Sequence, residues 1–219
     1  MIKAILWDND GVLVDTEHLY FEATRRVLGS AGIALSQEQY VELFLLQGKG
    51  AWHLAQERGF LHTEVENLRD ERNRLYARLL IEGARPISGI TTLLDALHGK
   101  YTMGIVTSSQ RDHFDLIHQS TDLLKYFDFV LTSDDCARSK PDPELYLKAV
   151  EKAGVAVEEC VAIEDSERGL EAAMRAGMRC LIVPSRLTRG RSFLGAHRVL
   201  ESVSEIPAAL QALSQPAPG

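Results

Sequence analysis

Two aspartates one residue apart, Asp8 and Asp10, close the apolar run Ile5-Leu6-Trp7, and Gly11 follows at once. A buried strand that delivers two carboxylates to its end is costly unless a cation or hydrogen bonds offset the charge. Glycine at that point lets the backbone turn sharply and come close to a ligand. An Asp/Asn-rich turn after an edge strand has the same letters, so the pair needs company to mean chemistry. Three later stretches supply it. Thr107-Ser108-Ser109 follows Ile105-Val106, Lys140 stands in Ser139-Lys140-Pro141-Asp142-Pro143, and Glu164-Asp165 follows Val161-Ala162-Ile163.

Small hydroxyls and free N–H groups leading into a helix form an anion site. A lysine beside them adds a compact charge suited to phosphate. Carboxylates gathered on one rim repel each other unless a divalent cation joins them, and hard oxygen ligands with room for water and phosphate point to Mg²⁺. Together these parts serve phosphoryl transfer, which needs positioning and neutralisation of developing charge. Asp8 is then the candidate nucleophile and Asp10 the candidate acid and base, two carboxylates with different surroundings. Taken singly, each stretch has a plainer account: an N-cap at Thr107-Ser108-Ser109, a solvated loop lysine at Lys140, first-turn acids at Glu164-Asp165. Their arrival in order, each after a strand or beside prolines, argues for one site.

The elements that would position these residues follow from the pattern of apolar spacing. After the first strand, residues 16–82 read as helix throughout. Thr16 is the expected N-cap of a helix to about Ala31, followed by helices over 36–46, 51–58 and 64–82, with Gly48-Lys49-Gly50 as a break. From Pro86 strands and helices alternate: strands near 101–106, 129–131, 160–163, 179–183 and 198–200, helices at 90–97, 111–118, 143–153, 167–176 and 205–213. That alternation predicts an α/β fold with a doubly wound, mainly parallel sheet, a Rossmann-like core, and an inserted all-helical cap. The expected division is a core of residues 1–15 and 84–219 and a cap of 16–83, with the tail SQPAPG frayed. In such a sheet the residues after each strand share a rim, where ligands bind.

Composition narrows the class of function. The chain has 219 residues, 45% hydrophobic and 25% charged, and a net charge of −7. These values fit a globular protein with a sizeable core and speak against a general binder of nucleic acid or membrane surfaces. Three cysteines, Cys136, Cys160 and Cys180, lack metal-type spacing and suit a reducing cytosol. The N-terminus is too short in apolar residues for a signal peptide, and no apolar run is long enough to span a membrane. The expectation is a cytoplasmic monomer or weak homodimer acting on a small phosphorylated metabolite.

The motifs DNDGVLVD, VTSS, SKPDPELY and IEDSERGLEAAMRAGM together resemble those of the haloacid dehalogenase-like hydrolases. More narrowly, they resemble the branch of phosphoglycolate phosphatases and β-phosphoglucomutases, whose helical cap lies between the first and second motifs. The resemblance implies Mg²⁺, an aspartyl-phosphate on Asp8, and Asp10 as acid and base. It implies metal ligation by Asp8, the Asp10 main-chain oxygen and Asp165 with Glu164 beside or within the site. It further implies phosphate binding by Thr107 and Ser108 and charge balance by Lys140.

Asp10 sets the chain apart from dehalogenases and phosphonatases, which lack that acid. In the cap, Lys49 either contacts substrate or is simply exposed. Arg72 either matches a basic residue that touches substrate in mutases or belongs, with Arg69, Arg74 and Arg78, to a solvated cationic helix face, the favoured account. Mutases of the branch carry histidine where this chain has Tyr20, which favours a phosphatase over a sugar-phosphate mutase. A receiver-like signalling domain shares the acidic pocket, hydroxyl and lysine but has neither the helical insert nor a counterpart of Asp10.

Overall fold

The computed structural model describes residues 1–214, so residues 215–219, within the tail expected to fray, lie outside the described ones. In chain order, β1 (Ala4–Trp7) is followed by α1 (Glu17–Ser30), α2 (Gln37–Tyr40), a π-helical turn Val41–Leu46, α3 (His53–Gln56) and α4 (His62–Gly83). Then come α5 (Ile90–Leu97), β2 (Thr102–Val106), α6 (Arg111–His118), β3 (Phe129–Leu131), α7 (Glu144–Ala153) and β4 (Cys160–Glu164). The chain closes with α8 (Glu167–Arg175), β5 (Arg179–Ile182), β6 (Arg198–Val199) and α9 (Ile206–Ser214). Two compact units result: Thr16–Ala84, and Met1–Asp15 with the chain from Arg85 onward.

In the second of these units, six parallel strands form one sheet in the order β3-β2-β1-β4-β5-β6. β1 is central and wholly buried, as its unbroken run Ala-Ile-Leu-Trp requires of a strand covered on both faces. The chain winds outward from β1 through β2 to β3, then returns to β4 on the other side. The crevice at that reversal is where open α/β sheets bind ligands. Trp7 pairs in register with both Ile105 and Ile163, so β1, β2 and β4 end at one level. The Asp8 N–H donates to the Ile163 carbonyl at 2.9 Å and the Thr107 N–H to that of Leu131 at 2.9 Å. One face of the sheet is covered by α7 and α8, where Leu6, Ala162 and Ile182 pack with Leu145, Tyr146, Leu170 and Ala173. Each such buried aliphatic or aromatic side chain contributes roughly 1.5–3 kcal/mol.

The all-helical unit is built around α1 and α4. Tyr20, Tyr40, Phe44 and Tyr76 form an aromatic cluster, with Tyr40 stacked on Phe44 at 4.7 Å and Tyr20 edge-on to Tyr76 at 5.0 Å. The buried Tyr40 hydroxyl donates to Glu17. Ser36 and Gln39 make a reciprocal capping box that starts α2. Thr16 stands at the N-cap of α1, as expected, though in a helical conformation and without a side-chain capping bond. Two expectations need correction here. The apolar run Val41–Leu46, expected to continue as α-helix, widens into a π turn in which the Gln47 N–H reaches the Glu42 carbonyl at 3.0 Å. Arg72, favoured for a solvated face, is 7% exposed: its guanidinium lies 4.4 Å from the Tyr20 ring centroid and 5.3 Å from that of Trp52. Arg74 and Arg78 are the exposed ones.

Candidate active site

β1 hands Asp8 and Asp10 to the rim through a turn that the following residues close. The Leu13 and Val14 N–H groups return to the Asn9 carbonyl, at 2.9 and 3.1 Å, and the Gly11 N–H donates to the Val14 carbonyl at 2.8 Å. Gly11 has φ +86°, and a Cβ built on it would lie 2.3 Å from Asp165 Oδ2. Only glycine gives both the left-handed turn and the close approach of that carboxylate.

Lys140 reaches into the space between β1 and β4. Its ammonium donates to Asp8 Oδ1 at 2.7 Å, to Glu164 Oε1 at 2.6 Å and to the Val106 carbonyl at 2.7 Å. Three N–H groups meet three oxygens, so this lysine, expected at the phosphate, balances two buried carboxylates directly. Its own backbone is held as well: the Lys140–Pro141 peptide is cis, and the Arg168 guanidinium donates to the Lys140 carbonyl. Burial alone would lower the Lys140 pKa, but Asp8 and Glu164 outweigh it and keep the ammonium charged. Burial, followed by the charge of Glu164, raises the Asp8 pKa well above the carboxylate range, against the pull of Lys140.

Glu164 Oε1 accepts a second bond, from the Tyr146 hydroxyl at 2.6 Å. Burial and the neighbouring Glu164 raise the Tyr146 pKa, so the phenol stays a donor. Glu164 Oε2 has no hydrogen-bond partner among the described residues. The carboxylate lies flat against α8, where a Cβ on Gly169 would sit 1.9 Å from Oε2. Asp8, Glu164 and Asp165 each offer an oxygen within 4.8 Å of the others, and all three are buried. Excess buried negative charge, a raised Asp8 pKa and an orphaned carboxylate oxygen fit a divalent cation bound by hard oxygens.

Asp10, half-buried, has different company. Its Oδ2 accepts from Ser109 Oγ at 2.8 Å, Asn9 Nδ2 at 3.2 Å and Thr107 Oγ1 at 3.3 Å. The plainer account of these hydroxyls as an N-cap does not hold, since α6 starts at Arg111 behind Gln110 with no side-chain capping bond. The loop thereby turns Thr107 and Ser109 toward Asp10 and leaves Ser108 exposed, with its Oγ accepting from Ser139 Oγ at 2.9 Å. Asp8, Asp10, Thr107, Lys140, Glu164 and Asp165 thus stand together at one rim.

The match to a family model decides the wider identity: residues 5–183 fit the model described as haloacid dehalogenase-like hydrolase. The chain belongs to that family. This haloacid dehalogenase-like hydrolase is 34% identical over 215 residues to "Putative phosphatase YhcW" of Bacillus subtilis, covering 96% of each chain. It is 33% identical to the "Phosphorylated carbohydrates phosphatase" of Thermotoga maritima, over 90% of this chain and 93% of that one. Among solved structures, CbbY from Rhodobacter sphaeroides in complex with phosphate superposes with a TM-score of 0.79 at 28% identity, covering 94% of this chain and 96% of that chain.

Within the hydrolase, several residues around the site were given no role by sequence reasoning: Asn9, His118, Thr121, Ser139, Tyr146 and Gly169. Gly169 alone carried a signal, a glycine inside a helical pattern that otherwise costs about 1 kcal/mol. Cap candidates Lys49 and Arg72 belong to the helical unit. Lys49 is exposed, and Arg72 donates from Nε to Asn73 at 2.9 Å, while its Nη1 has no partner among the described residues. No helix of the described residues is long and apolar enough to cross a membrane.

Proposed function

We propose that this hydrolase is a Mg²⁺-dependent phosphatase of small phosphorylated metabolites, of the sugar-phosphate class, working through an aspartyl-phosphate on Asp8. The observation that carries the reading is the contrast between two carboxylates two residues apart. Asp8 is buried against Lys140 and Glu164, whereas Asp10 is half-buried among hydroxyls. The printed names of the relatives, phosphatases of phosphorylated carbohydrates among them, support the same class.

In the first step a carboxylate oxygen of Asp8 bonds to phosphorus, the bond from phosphorus to the leaving oxygen breaks, and Asp10 gives that oxygen its proton. In the second step a water attacks the phosphorus of the aspartyl-phosphate and Asp10 takes the water's proton. Inorganic phosphate leaves and the Asp8 carboxylate is restored. Lys140 holds Asp8 and Glu164 in place and offsets their charge throughout. Asp8, the Asp10 main-chain oxygen, Glu164 and Asp165 are the residues that would hold Mg²⁺, which when bound supplies positive charge for the carboxylates and the phosphoryl oxygens. Thr107 and Ser108 are proposed to receive the phosphoryl group, and Lys49 and Arg72 to choose the rest of the substrate.

The test is release of phosphate, with and without Mg²⁺, from p-nitrophenyl phosphate, glucose 1-phosphate, glucose 6-phosphate, fructose 1-phosphate, phosphoglycolate and a nucleoside monophosphate. Metal-dependent release from a sugar phosphate is expected, as is loss of about four orders of magnitude in Asp8→Ala. Calorimetric titration of Mg²⁺ into wild type and Asp165→Asn checks the metal site apart from turnover. Full activity in Asp8→Ala, or no metal-dependent release from any of the six, would overturn the reading. Isomerisation of glucose 1-phosphate outrunning phosphate release would make the enzyme a mutase instead.

A further inference from the structure

We infer that the Tyr146 hydroxyl makes Glu164 a one-oxygen ligand and thereby selects Mg²⁺ over Ca²⁺. The inference deepens the proposed function and rests on the cation site placed there at Asp8, Glu164 and Asp165. Glu164 closes β4 and is fully buried. Its Oε1 accepts from the Lys140 ammonium at 2.6 Å and from the Tyr146 hydroxyl at 2.6 Å. Its Oε2 is buried and has no hydrogen-bond partner among the described residues. Within one carboxylate, one oxygen therefore carries two hydrogen bonds and the other none.

The local chain maintains that asymmetry. Lys140 precedes α7 and Tyr146 lies in its first turn, so a single stretch brings both donors to Oε1. Tyr146 is 0% exposed, and its ring centroid lies 5.0 Å from the Lys140 ammonium, so the two donors are packed side by side. Gly169 of α8 gives the carboxylate its room. A Cβ there would stand 1.9 Å from Oε2 and 2.0 Å from the carboxyl carbon, so any larger residue displaces the group.

A plainer account is that a buried phenol needs an acceptor and Glu164 is simply the one it finds. Charge balance does not call for the phenol, since Lys140 already donates to Glu164 and to Asp8. What the phenol adds is the use of a further lone pair. A carboxylate has about four lone-pair sites, two on each oxygen, and both of those on Oε1 are then taken. Glu164 is left to meet a cation through Oε2 and cannot chelate it with both oxygens.

That restriction separates two hard cations. Ca²⁺ accepts carboxylates through one oxygen or both and gathers about 6–8 oxygens in flexible geometry, whereas the smaller Mg²⁺ demands a near-octahedral set. Asp8 is tied in the same sense, because Lys140 takes its Oδ1 at 2.7 Å. Tyr146 acts through Glu164, so it is a positioning residue.

Calorimetric titration of Mg²⁺ and, separately, of Ca²⁺ reads this role without turnover. Wild type is expected to bind Mg²⁺ more tightly than Ca²⁺. Tyr146→Phe keeps the ring and its packing and frees one lone pair of Oε1. It should weaken Mg²⁺ binding about 10-fold, the usual scale for a group that orients a metal ligand, and change Ca²⁺ binding by less than about 3-fold. A hydroxyl that only stabilised the fold would weaken both cations alike. Equal losses for the two cations, or an unchanged Mg²⁺ affinity in Tyr146→Phe, would overturn the inference. So would tighter binding of Ca²⁺ than of Mg²⁺ by wild type, which decides the matter even where the variant does not fold. Wild type that binds neither cation, or Asp165→Asn that binds Mg²⁺ as wild type does, would instead overturn the metal site itself.

Discussion

Each compact unit buries a cation, and the two are held by opposite means. Lys140 is 4% exposed and meets three oxygens, two of them carboxylate. Arg72 is 7% exposed and meets two ring faces, with one amide oxygen on its Nε. An ammonium is a compact, strongly hydrated charge, and oxygen neighbours replace the water it loses. A guanidinium is planar and weakly hydrated, and aromatic faces accept it without discharging its donors. The α/β unit thus fixes its charge in a closed network, whereas the helical unit fixes a position and leaves hydrogen-bonding capacity over.

The sharpest way to break the comparison is to remove each cation in turn. Lys140→Met leaves Asp8 and Glu164 buried without their cation and should cost about 3–5 kcal/mol in urea unfolding, with turnover lost. A cost below about 1 kcal/mol would mean the network is not closed. A pH series tests the same unit through His118, whose pKa burial pushes down to about 4 against the opposing charge of Asp10. Above the unfolded value near 6.5 neither state is protonated there and the histidine is neutral to stability. Below it the unfolded chain binds a proton that the folded one refuses. Stability should therefore fall between about pH 6.5 and 4, by up to roughly 3 kcal/mol, and His118→Gln should flatten that slope.

Arg72→Met keeps the apolar contacts of the stem and loses the charge over the rings, an expected cost of about 1–2 kcal/mol in unfolding, less than for Lys140. If the two variants cost the same, the distinction between networks falls. The smallest effect belongs to the exposed pairs of α1, where Glu22 accepts from Arg25 at 2.8 Å and Arg26 at 2.6 Å. Glu22→Gln should change stability by less than about 1 kcal/mol, and less again in high salt.

Most of the sheet could be read from the sequence because apolar runs such as Ala-Ile-Leu-Trp and Val-Ala-Ile end in charged or hydroxyl residues, and a parallel sheet gathers those ends on one rim. Asp8, Lys140, Glu164 and Asp165 were legible for that reason. What lay beyond reach depended on partners distant in the chain. Asn9 read as a turn residue, and nothing local ties it to His118, 109 positions away. Arg72 read as part of a solvated helix face because Arg69, Arg74 and Arg78 share its helix, while the rings that bury it come from Tyr20 and Trp52. The loop at Thr107-Ser108-Ser109 read as an anion site with an N-cap as its plainer account, yet α6 begins only at Arg111, behind Gln110. The π turn at Val41–Leu46 has the composition of an ordinary helix, and only its backbone bonds distinguish it.

The central place of β1 bears on how the enzyme is made. β1 pairs on one flank with Thr102–Val106 and on the other with Cys160–Glu164, both synthesised well after it. Pairings between such distant segments are slow to form and leave an apolar strand uncovered while synthesis continues. Asp8 and Asp10 are translated early, but the acids that complete their surroundings arrive with the fourth strand. A translation product that stops before β4 leaves one flank of this apolar strand unpaired and lacks Glu164 and Asp165.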